Sequence, residues 1–242
     1  MCELFFQPFQ SGIRGLRELF FPRRCVVCGR VLGMDEEDLC RECLTGLPMT
    51  YQWDIGQNAA FERLARRFEV EGAAAFLFFG SESDYRKFLY AIKYGGRWQL
   101  GFWMGQLLGS HLAGSRMFSR CQAVVPVPLH PLRRWKRGYN QAEEIARGVA
   151  EAMGLLLETA LLRRSRYTKT QTRLRGAAKT KNVQGAFRLD PQRAAELQSA
   201  GINHLLLIDD VLTTGSTLAA SAAPLLVAGF HISCATLAFA GS

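Results

Sequence analysis

The sequence lacks the long apolar segments that membrane-spanning and exported proteins need. No apolar run approaches the roughly 18 residues that a membrane span requires. The N-terminus, Met-Cys-Glu-Leu-Phe-Phe-Gln-Pro, has an acid near its start and no long apolar stretch, so it does not fit a signal peptide. We therefore expect a cytoplasmic protein without a membrane span, in which the seven cysteines are reduced.

Acidic residues are missing from one long segment. Between Glu158 and Asp190 the chain has no acid but nine basic residues, a number equal to its whole net charge of +9. A second acid-free basic cluster contains Arg133, Arg134, Lys136 and Arg137. Such clusters attract polyanions, which are either nucleic acid or a small phosphorylated ligand. The nine basic residues are Arg163, Arg164, Arg166, Lys169, Arg173, Arg175, Lys179, Lys181 and Arg188.

The rest of the chain has an ordinary globular composition, with 48% hydrophobic and 21% charged residues. Strand-like apolar runs alternate with segments of helical periodicity, which predicts an α/β domain with a mostly parallel sheet flanked by helices. We assign this domain to residues 56–242, and residues 1–55 to a helix plus a cysteine-rich module. The predicted strands are 72–79, 122–128, 205–208 and 232–240. The predicted helices are 13–20, 83–94, 99–112, 191–200, 215–227 and one that runs from an N-cap at Asn140 to Met153, just before Gly154.

Four of the cysteines form two CxxC pairs. Cys25 and Cys28 are followed, after eleven residues, by Cys40 and Cys43. Each pair presents two thiolates to one metal ion, and together the pairs complete a tetrahedral site typical of structural Zn²⁺. The alternatives are two disulfides, which a reducing compartment disfavours, or a redox pair, which the doubled motif disfavours. A segment this short and polar hardly folds alone, so we expect zinc binding and folding to be one event.

The most specific motif is Leu205-Leu-Leu-Ile-Asp-Asp-Val-Leu-Thr-Thr-Gly-Ser-Thr217. An apolar strand leads into two acids and then into a loop that opens a helix. Such a turn directs backbone N–H groups and hydroxyls at an anion, while the acids offer oxygens to sugar hydroxyls or to Mg²⁺. The alternative is that the acids form only a turn and a helix cap. The acids are Asp209 and Asp210, and the loop residues are Thr213, Thr214, Gly215, Ser216 and Thr217.

This thirteen-residue pattern resembles the phosphoribosyl-diphosphate (PRPP) motif of type I phosphoribosyltransferases. The resemblance implies a parallel sheet of that type, in which Asp209 and Asp210 hold the ribose hydroxyls and the loop from Thr213 to Thr217 cradles the 5′-phosphate. It also implies a pyrophosphate loop, which residues 126–131 resemble, with Arg137 as the cation beneath the pyrophosphate. A mobile covering loop is implied as well, which residues 163–185 resemble. From the latter, Lys169 and Arg175 are the candidates for reaching the ligand, because the departing pyrophosphate needs cations and Mg²⁺.

Several motifs taken together resemble the ComF family over nearly the whole chain. In order they are the cysteine pairs, Arg137-Gly-Tyr-Asn-Gln141, Thr168-x-x-Gln171-x-x-Leu174 and the PRPP motif. That family is associated with natural competence, the DNA uptake that leads to transformation. The resemblance implies contact with single-stranded DNA and with other competence proteins. Trp135, Tyr139 and Tyr167 lie among the basic residues, where they either stack on bases or are simply packed.

Two other functions stay open at this point. One is an ordinary phosphoribosyltransferase that transfers the phosphoribosyl group of PRPP to a base, an amine or another small acceptor. The other is an amidotransferase, suggested by Cys2 at the N-terminus. Amidophosphoribosyltransferases place such a cysteine on a large glutaminase domain, for which this sequence has no counterpart.

Overall fold

The computed structural model describes residues 22–80, 83–165 and 185–240. The chain divides into two compact units. One comprises Met1–Leu47 with Asp84–Phe88, and the other comprises Pro48–Ser83 with Leu89–Ser242. The helix predicted at 13–20 lies outside the described residues. None of the helices in the described ranges has the length and hydrophobicity of a membrane span.

The first unit is built around the cysteine pairs. Arg24 and Val31 form an antiparallel bridge across the first pair. A short helix, α1 (Arg41–Thr45), begins directly after Cys40. The hydroxyl of Tyr85 donates to the carbonyl oxygens of Cys43 at 3.0 Å and Gly46 at 2.8 Å. These bonds satisfy the carbonyls of a segment too short to bury them within regular structure.

The second unit contains a five-stranded parallel sheet in the order β1-β7-β6-β2-β3. Its central strand β6 is buried over most of its length, as its apolar run predicts. The predicted α/β fold with a parallel sheet is therefore confirmed. The strands are β1 (Gly72–Phe79), β2 (Ala123–Pro126), β3 (Leu156–Leu157), β6 (His204–Leu212) and β7 (His231–Ala240). A separate antiparallel pair is formed by β4 (Leu162–Arg164) and β5 (Phe187–Leu189).

Helices cover the sheet. The apolar faces of these helices meet a core that includes Leu205, Leu207 and Leu218. The bounds are α2 (Ala59–Ala65), α3 (Arg86–Tyr94), α4 (Trp98–Ala113), α5 (Pro131–Arg137), α6 (Gln141–Met153), α7 (Pro191–Ser199) and α8 (Ser216–Val227). Asn140 caps α6 by accepting the N–H of Ala142, and Gly154 ends it in a left-handed conformation, both as predicted.

Helices α4 and α6 pack with their backbones almost in contact. A Cβ atom on Gly148 of α6 would lie 2.1 Å from the carbonyl oxygen of Phe102, and one on Gly105 of α4 would lie 2.2 Å from that of Ile145. Only glycine leaves room for this approach. The contact fixes the N-terminus of α6, which carries Asn140 and Gln141, against the sheet.

The structure corrects the predicted end of the strand that carries the two acids. The strand expected to end at Ile208 continues to Leu212, so Asp209 and Asp210 lie within β6 and not after it. The reason is the neighbouring strand, since Asp209 pairs with Thr236 and Val211 pairs with Ala238 of β7. Backbone hydrogen bonds to β7 thus hold the two acids in extended conformation.

Candidate functional site

The C-terminal ends of β2 and β6 open into a cavity of about 280 Å³, which we call the acid-loop cavity. Ligands of open α/β sheets usually bind at this edge. The cavity combines two carboxylates, several cations and a row of hydroxyls. Its polar and charged lining residues are Lys93, Tyr94, Arg133, Arg137, Asn140, Gln141, Arg164, Asp209, Asp210, Thr213, Thr214, Ser216 and Thr217.

Asp210 is buried and held from two sides. The ammonium nitrogen of Lys93 lies 3.1 Å from its Oδ2, and the amide Nε2 of Gln141 donates to the same oxygen at 2.8 Å. Asn140 donates from Nδ2 to the carbonyl oxygen of Val127 at 3.1 Å, which ties the start of α6 to the end of β2. Burying a carboxylate costs free energy unless such partners satisfy its oxygens, and Lys93 and Gln141 do so here.

Asp209 is in a less favourable electrostatic position. Its Oδ1 accepts the backbone N–H of Asp210 at 2.8 Å. Burial raises the pKa of Asp209, the neighbouring charge of Asp210 raises it further, and Lys93 and Arg164 only partly offset these effects. The resulting pKa is about 7. An arriving cation or hydroxyl donor would therefore relieve the repulsion between the two carboxylates.

The loop after β6 has the shape of an anion cradle. Gly215 adopts a left-handed conformation with φ of 76°, and a Cβ there would come within 2.8 Å of Cδ2 of Leu64. The loop then enters α8 at Ser216, so the N–H groups of the first turn of this twelve-residue helix lie beside the hydroxyls of the loop. Thr214 and Ser216 share a hydrogen bond of 2.9 Å between their hydroxyls.

Three arginines surround the acids and the loop. Arg137 bonds to Oε1 of Gln141, and its guanidinium lies 5.0 Å from the ring centre of Tyr94. Burial lowers the pKa of Arg164, the charge of Arg133 adds to this, and Asp209 opposes it. Together with Lys93, these side chains give the cavity an excess of positive charge over the two carboxylates. Such a balance suits a ligand with several negative charges.

Most of the predicted site residues lie together in this cavity. Both acids, Arg137 and the hydroxyl residues of the loop line it, and Gly215 shapes the loop from behind. The predicted pyrophosphate loop contributes Val127, Pro128 and Leu129, but the arginines that follow it lie on α5, which His130 caps. Lys169 and Arg175, predicted to reach the ligand from a covering loop, lie outside the described residues.

Lys93 and Gln141 are site residues that were not predicted from the sequence. A lysine near the end of an amphipathic helix carries no signature, so only the tertiary structure brings Lys93 to Asp210. Gln141 stands in the Arg137-Gly-Tyr-Asn-Gln141 motif, and that signal could have identified it. The partial burial of Arg164, one residue of the basic segment, was also unpredictable from charge alone.

The aromatic residues among the basic clusters behave differently from one another. Trp135 is 82% exposed on α5, where its ring is available to a partner. Tyr139 is partly buried, and its hydroxyl donates to the carbonyl oxygen of Ile92, so it packs against the protein. Tyr167 lies outside the described residues.

In the first unit, the four predicted cysteines form one cluster. The Sγ atoms of Cys25, Cys28, Cys40 and Cys43 all lie within 4.8 Å of one another. Four thiolates around one Zn²⁺ at about 2.3 Å are separated by roughly 3.8 Å, so a small contraction of the cluster creates a tetrahedral site. The Sγ atoms of Cys28 and Cys40 are already 3.7 Å apart.

The surroundings of the cluster also suit a metal–thiolate centre. Burial raises the pKa of Cys25, but backbone N–H groups of Cys28, Cys40 and Val27 outweigh it and bring the pKa to about 7. The pKa of Arg30 is raised, chiefly by the charge of Cys40. Backbone donors thus stabilise the anionic form of Cys25, the form that binds zinc, whereas burial and the three other cysteines raise the pKa of Cys43. The chemistry of the donor set therefore fits structural Zn²⁺.

Comparisons with known proteins bear on both units. The double zinc ribbon domain family matches residues 16–53. The chain is 30% identical to the DNA utilization protein YhgH of Salmonella typhimurium over 217 residues, which cover 86% of this chain and 92% of that protein. It is 28% identical to the protein of the same name from Escherichia coli K12 over 234 residues, or 93% of this chain and 90% of that protein.

Two further similarities cover less than half of the matched protein. Competence protein F of Haemophilus influenzae is 34% identical over 97 residues, which cover 40% of this chain and 41% of that protein. Among solved structures, the glutamine PRPP amidotransferase of Bacillus subtilis, complexed with ADP and GMP, matches 55% of this chain with 20% identity and a TM-score of 0.33. The match covers only 26% of that amidotransferase chain.

Proposed function

This chain belongs to the ComF family, and on that premise we propose that its acid-loop cavity binds PRPP with Mg²⁺ and that the protein contacts single-stranded DNA in the cytoplasm. The second unit has an α/β fold with a parallel sheet, and the first unit contains a zinc-ribbon module. One observation carries the proposal for PRPP. Two adjacent carboxylates, of which Asp210 is buried, a helix-opening hydroxyl loop and four cations line a single cavity.

Each part of PRPP has a matching group in the cavity. The loop from Thr213 to Thr217 supplies N–H and hydroxyl donors for the 5′-phosphate. The carboxylates of Asp209 and Asp210 accept hydrogen bonds from the two ribose hydroxyls. Arg133, Arg137 and Arg164 balance the charge of the pyrophosphate. We also propose Lys169 and Arg175 as further cations for the pyrophosphate.

The donor set also suits Mg²⁺. Carboxylate oxygens are hard ligands, and Mg²⁺ is commonly held by one or two carboxylates, water and the phosphates of a substrate. Lys93 and Gln141 already occupy Oδ2 of Asp210, which leaves Asp209 as the more available acid. When bound, Mg²⁺ would neutralise part of the pyrophosphate charge.

Calorimetric titration of the zinc-loaded protein with Mg²⁺ and PRPP tests this proposal. We expect a dissociation constant on the order of micromolar, weakened about 100-fold in the Asp209→Asn, Asp210→Asn double variant, because two hydrogen bonds to charged groups are lost. The Glu151→Gln, Glu196→Gln double variant removes the same charge from exposed helix positions and serves as the matched control. PRPP binding that is absent from the wild type, or equal in the two double variants, would reject the site.

The proposed DNA contact rests on the family and on α5. Two relatives of this chain bear names that refer to DNA utilization and one bears a name that refers to competence. Helix α5 displays an exposed Trp135 beside Arg134 and Lys136. Basic residues around an exposed aromatic ring suit single strands, because the cations attract phosphates and a base stacks on the ring.

Fluorescence anisotropy with a labelled single-stranded oligonucleotide tests this contact. We expect binding that weakens steeply between about 50 and 200 mM salt, and that weakens further in the Trp135→Ala variant. A Trp98→Ala variant is the control, because Trp98 is also an exposed tryptophan but begins α4. Binding that ignores both salt and Trp135 would exclude α5 as the DNA-binding surface.

Catalytic phosphoribosyl transfer is the second candidate function, and the cations around the cavity favour it. In a phosphoribosyl transfer, the C1′–oxygen bond to pyrophosphate breaks, the lone pair of an acceptor forms the new bond to C1′, and the acceptor loses a proton. Lys93, Arg133, Arg137 and Arg164 lie where they would stabilise the leaving pyrophosphate. Pyrophosphate release that requires both PRPP and one particular acceptor would establish the enzyme; a search of bases, amines and nucleotides without release would favour binding alone.

For the first unit, we propose that Cys25, Cys28, Cys40 and Cys43 hold one structural Zn²⁺. All four sulfurs are needed to complete the tetrahedron, so no position remains for a reactive water. The role of the metal is therefore to fold the module.

A further inference from the structure

A second cavity shares Thr213 and Thr214 with the acid-loop cavity. It is larger, at about 780 Å³, and lies in the second unit. We call it the arginine cavity, because three of its other lining residues are arginines from the end of α2 and the residues after it. The lining is completed by Ala59, Glu62, Arg63, Arg66, Arg67 and Ala240.

The arginine cavity has a charge that the fold does not neutralise. Glu62 opposes the three arginines, so the lining has a net charge of about +2. In the described part of the chain, neither Arg66 nor Arg67 forms an ion pair, and both are exposed. Guanidinium groups without carboxylate partners, gathered in a concave surface, are typical of phosphate recognition.

Arg63 links the two cavities. Its guanidinium donates to the carbonyl oxygen of Thr213 at 2.6 Å and to that of Ala240 at 2.8 Å, and it lies 4.0 Å from the ring centre of Phe239. Arg63 therefore acts as a positioning residue that joins the end of β7 to the loop after β6. Arg67 lies close to the same loop, since its Cδ is 3.4 Å from the Cβ position of Gly215.

We infer that the arginine cavity binds a second ligand through a phosphate monoester, with Arg66 and Arg67 as the donors. A monoester carries nearly two negative charges at neutral pH, which matches the lining, whereas an internal phosphodiester of a nucleic acid carries one. The monoester belongs to a free nucleotide or to the 5′ end of a DNA strand. This ligand would contact the same loop as PRPP. Its binding beside PRPP rests on the proposed function, whereas the phosphate site itself does not depend on the proposed function.

Calorimetry of the zinc-loaded full chain tests the inference, with and without saturating Mg²⁺ and PRPP. The probes are dAMP, deoxyadenosine, and a ten-residue oligothymidylate with and without a 5′-phosphate. We expect at least one phosphorylated probe to bind about tenfold or more tightly than its unphosphorylated counterpart. The Arg66→Gln, Arg67→Gln double variant should abolish this difference. A preference for dAMP would identify the free nucleotide as the source, and a preference for the oligonucleotide would identify the strand end.

A matched control distinguishes binding at this site from non-specific electrostatic attraction to the protein. The Arg116→Gln, Arg120→Gln double variant loses the same two charges from exposed positions that precede β2, and it should retain the phosphate preference. Equal affinity for phosphorylated and unphosphorylated probes in the wild type would overturn the inference, as would an Arg66, Arg67 variant that keeps the preference. A variant that loses PRPP itself would assign the arginines to the PRPP site and would also overturn it. If PRPP fails to bind the wild type while the phosphate preference depends on Arg66 and Arg67, the proposed function fails and this site stands.

Discussion

The ammonium nitrogen of Lys93 lies 3.1 Å from Oδ2 of Asp210, and the side chains are 25% and 10% exposed. This pair brings a positive charge from α3 to a strand that carries two adjacent carboxylates. Lys93 thereby compensates the acid that is more deeply buried, while Asp209 keeps a raised pKa. The electrostatics of the proposed PRPP site thus depend on a residue outside the PRPP motif.

We expect Lys93→Met to destabilise the protein by about 1–3 kcal/mol at pH 8, because a buried carboxylate loses its counterion. Asp210→Asn introduced together with Lys93→Met should restore part of that loss, since the unpaired charge is then absent. Urea unfolding of both single variants and the double variant measures the coupling. Lys87→Met is the control, because Lys87 lies on the same helix but is 60% exposed. Strictly additive effects would show that the two charges are independent.

Replacement of Asp209 should stabilise the unliganded protein in a pH-dependent manner. The folded-state pKa of Asp209, about 7, is above its ordinary value of 3.8, so ionisation of this carboxyl opposes folding as the pH rises. We expect Asp209→Asn to be more stable than wild type by about 1–3 kcal/mol at pH 8.5, and expect this gain to shrink towards pH 5.5, where wild-type Asp209 is protonated.

Denaturant unfolding at a series of pH values between these limits measures the effect. Glu151→Gln, an exposed carboxylate on α6, provides the comparison and should show no such trend. A stability gain for Asp209→Asn that is constant over this range would contradict a raised pKa.

The zinc site gives a prediction about metal content and folding. We expect the wild type to hold one zinc ion per chain, and Cys40→Ser to lose it, because Zn²⁺ in a four-thiolate site requires every ligand. Without the metal, residues 22–47 should become sensitive to limited proteolysis. Metal analysis and mapping of the cleavage sites check both statements. Cys121→Ser alters a buried cysteine outside the cluster and should leave the zinc content unchanged.

The contact between α4 and α6 gives a prediction about packing. Gly148→Ala places a methyl group 2.1 Å from the carbonyl oxygen of Phe102, so α6 must move. We expect a loss of about 2–4 kcal/mol in unfolding free energy, and weaker PRPP binding because Gln141 moves away from Asp210. Thermal and denaturant unfolding, followed by PRPP titration, measure the two effects.

Gly114→Ala is the matched control for this substitution. The nearest atom to a Cβ at Gly114 is 3.8 Å away, so the added methyl group meets no obstacle. Equal stability of the Gly148 and Gly114 variants would show that the two helices adjust without strain.

The sequence predicted those parts of the structure that local chemistry determines. The helix from Gln141 to Met153 has its N-cap at Asn140 and its terminator at Gly154, and both signals act on neighbouring backbone groups. The strand Gly72–Phe79 agrees with its apolar run. The ComF family, which followed from the order of motifs, and the α/β fold with a parallel sheet are confirmed as well.

The parts that were missed depend on tertiary contacts. The strand that carries Asp209 and Asp210 was predicted too short, because two acids resemble a strand end unless a partner such as β7 pairs with them. Lys93 was missed because nothing near it in sequence indicates that it reaches Asp210. The pair β4–β5 escaped notice because its three-residue strands are too short to show a pattern. The roles of Lys169 and Arg175 remain predictions.

A crystal structure of the zinc-loaded protein with Mg²⁺ and PRPP would show directly whether the acid-loop cavity is the PRPP site. We expect electron density for the 5′-phosphate at the loop from Thr213 to Thr217 and for the ribose hydroxyls at Asp209 and Asp210. Density for PRPP at another place, for example on Arg66 and Arg67, or an acid-loop cavity without ligand at saturating PRPP, would contradict it.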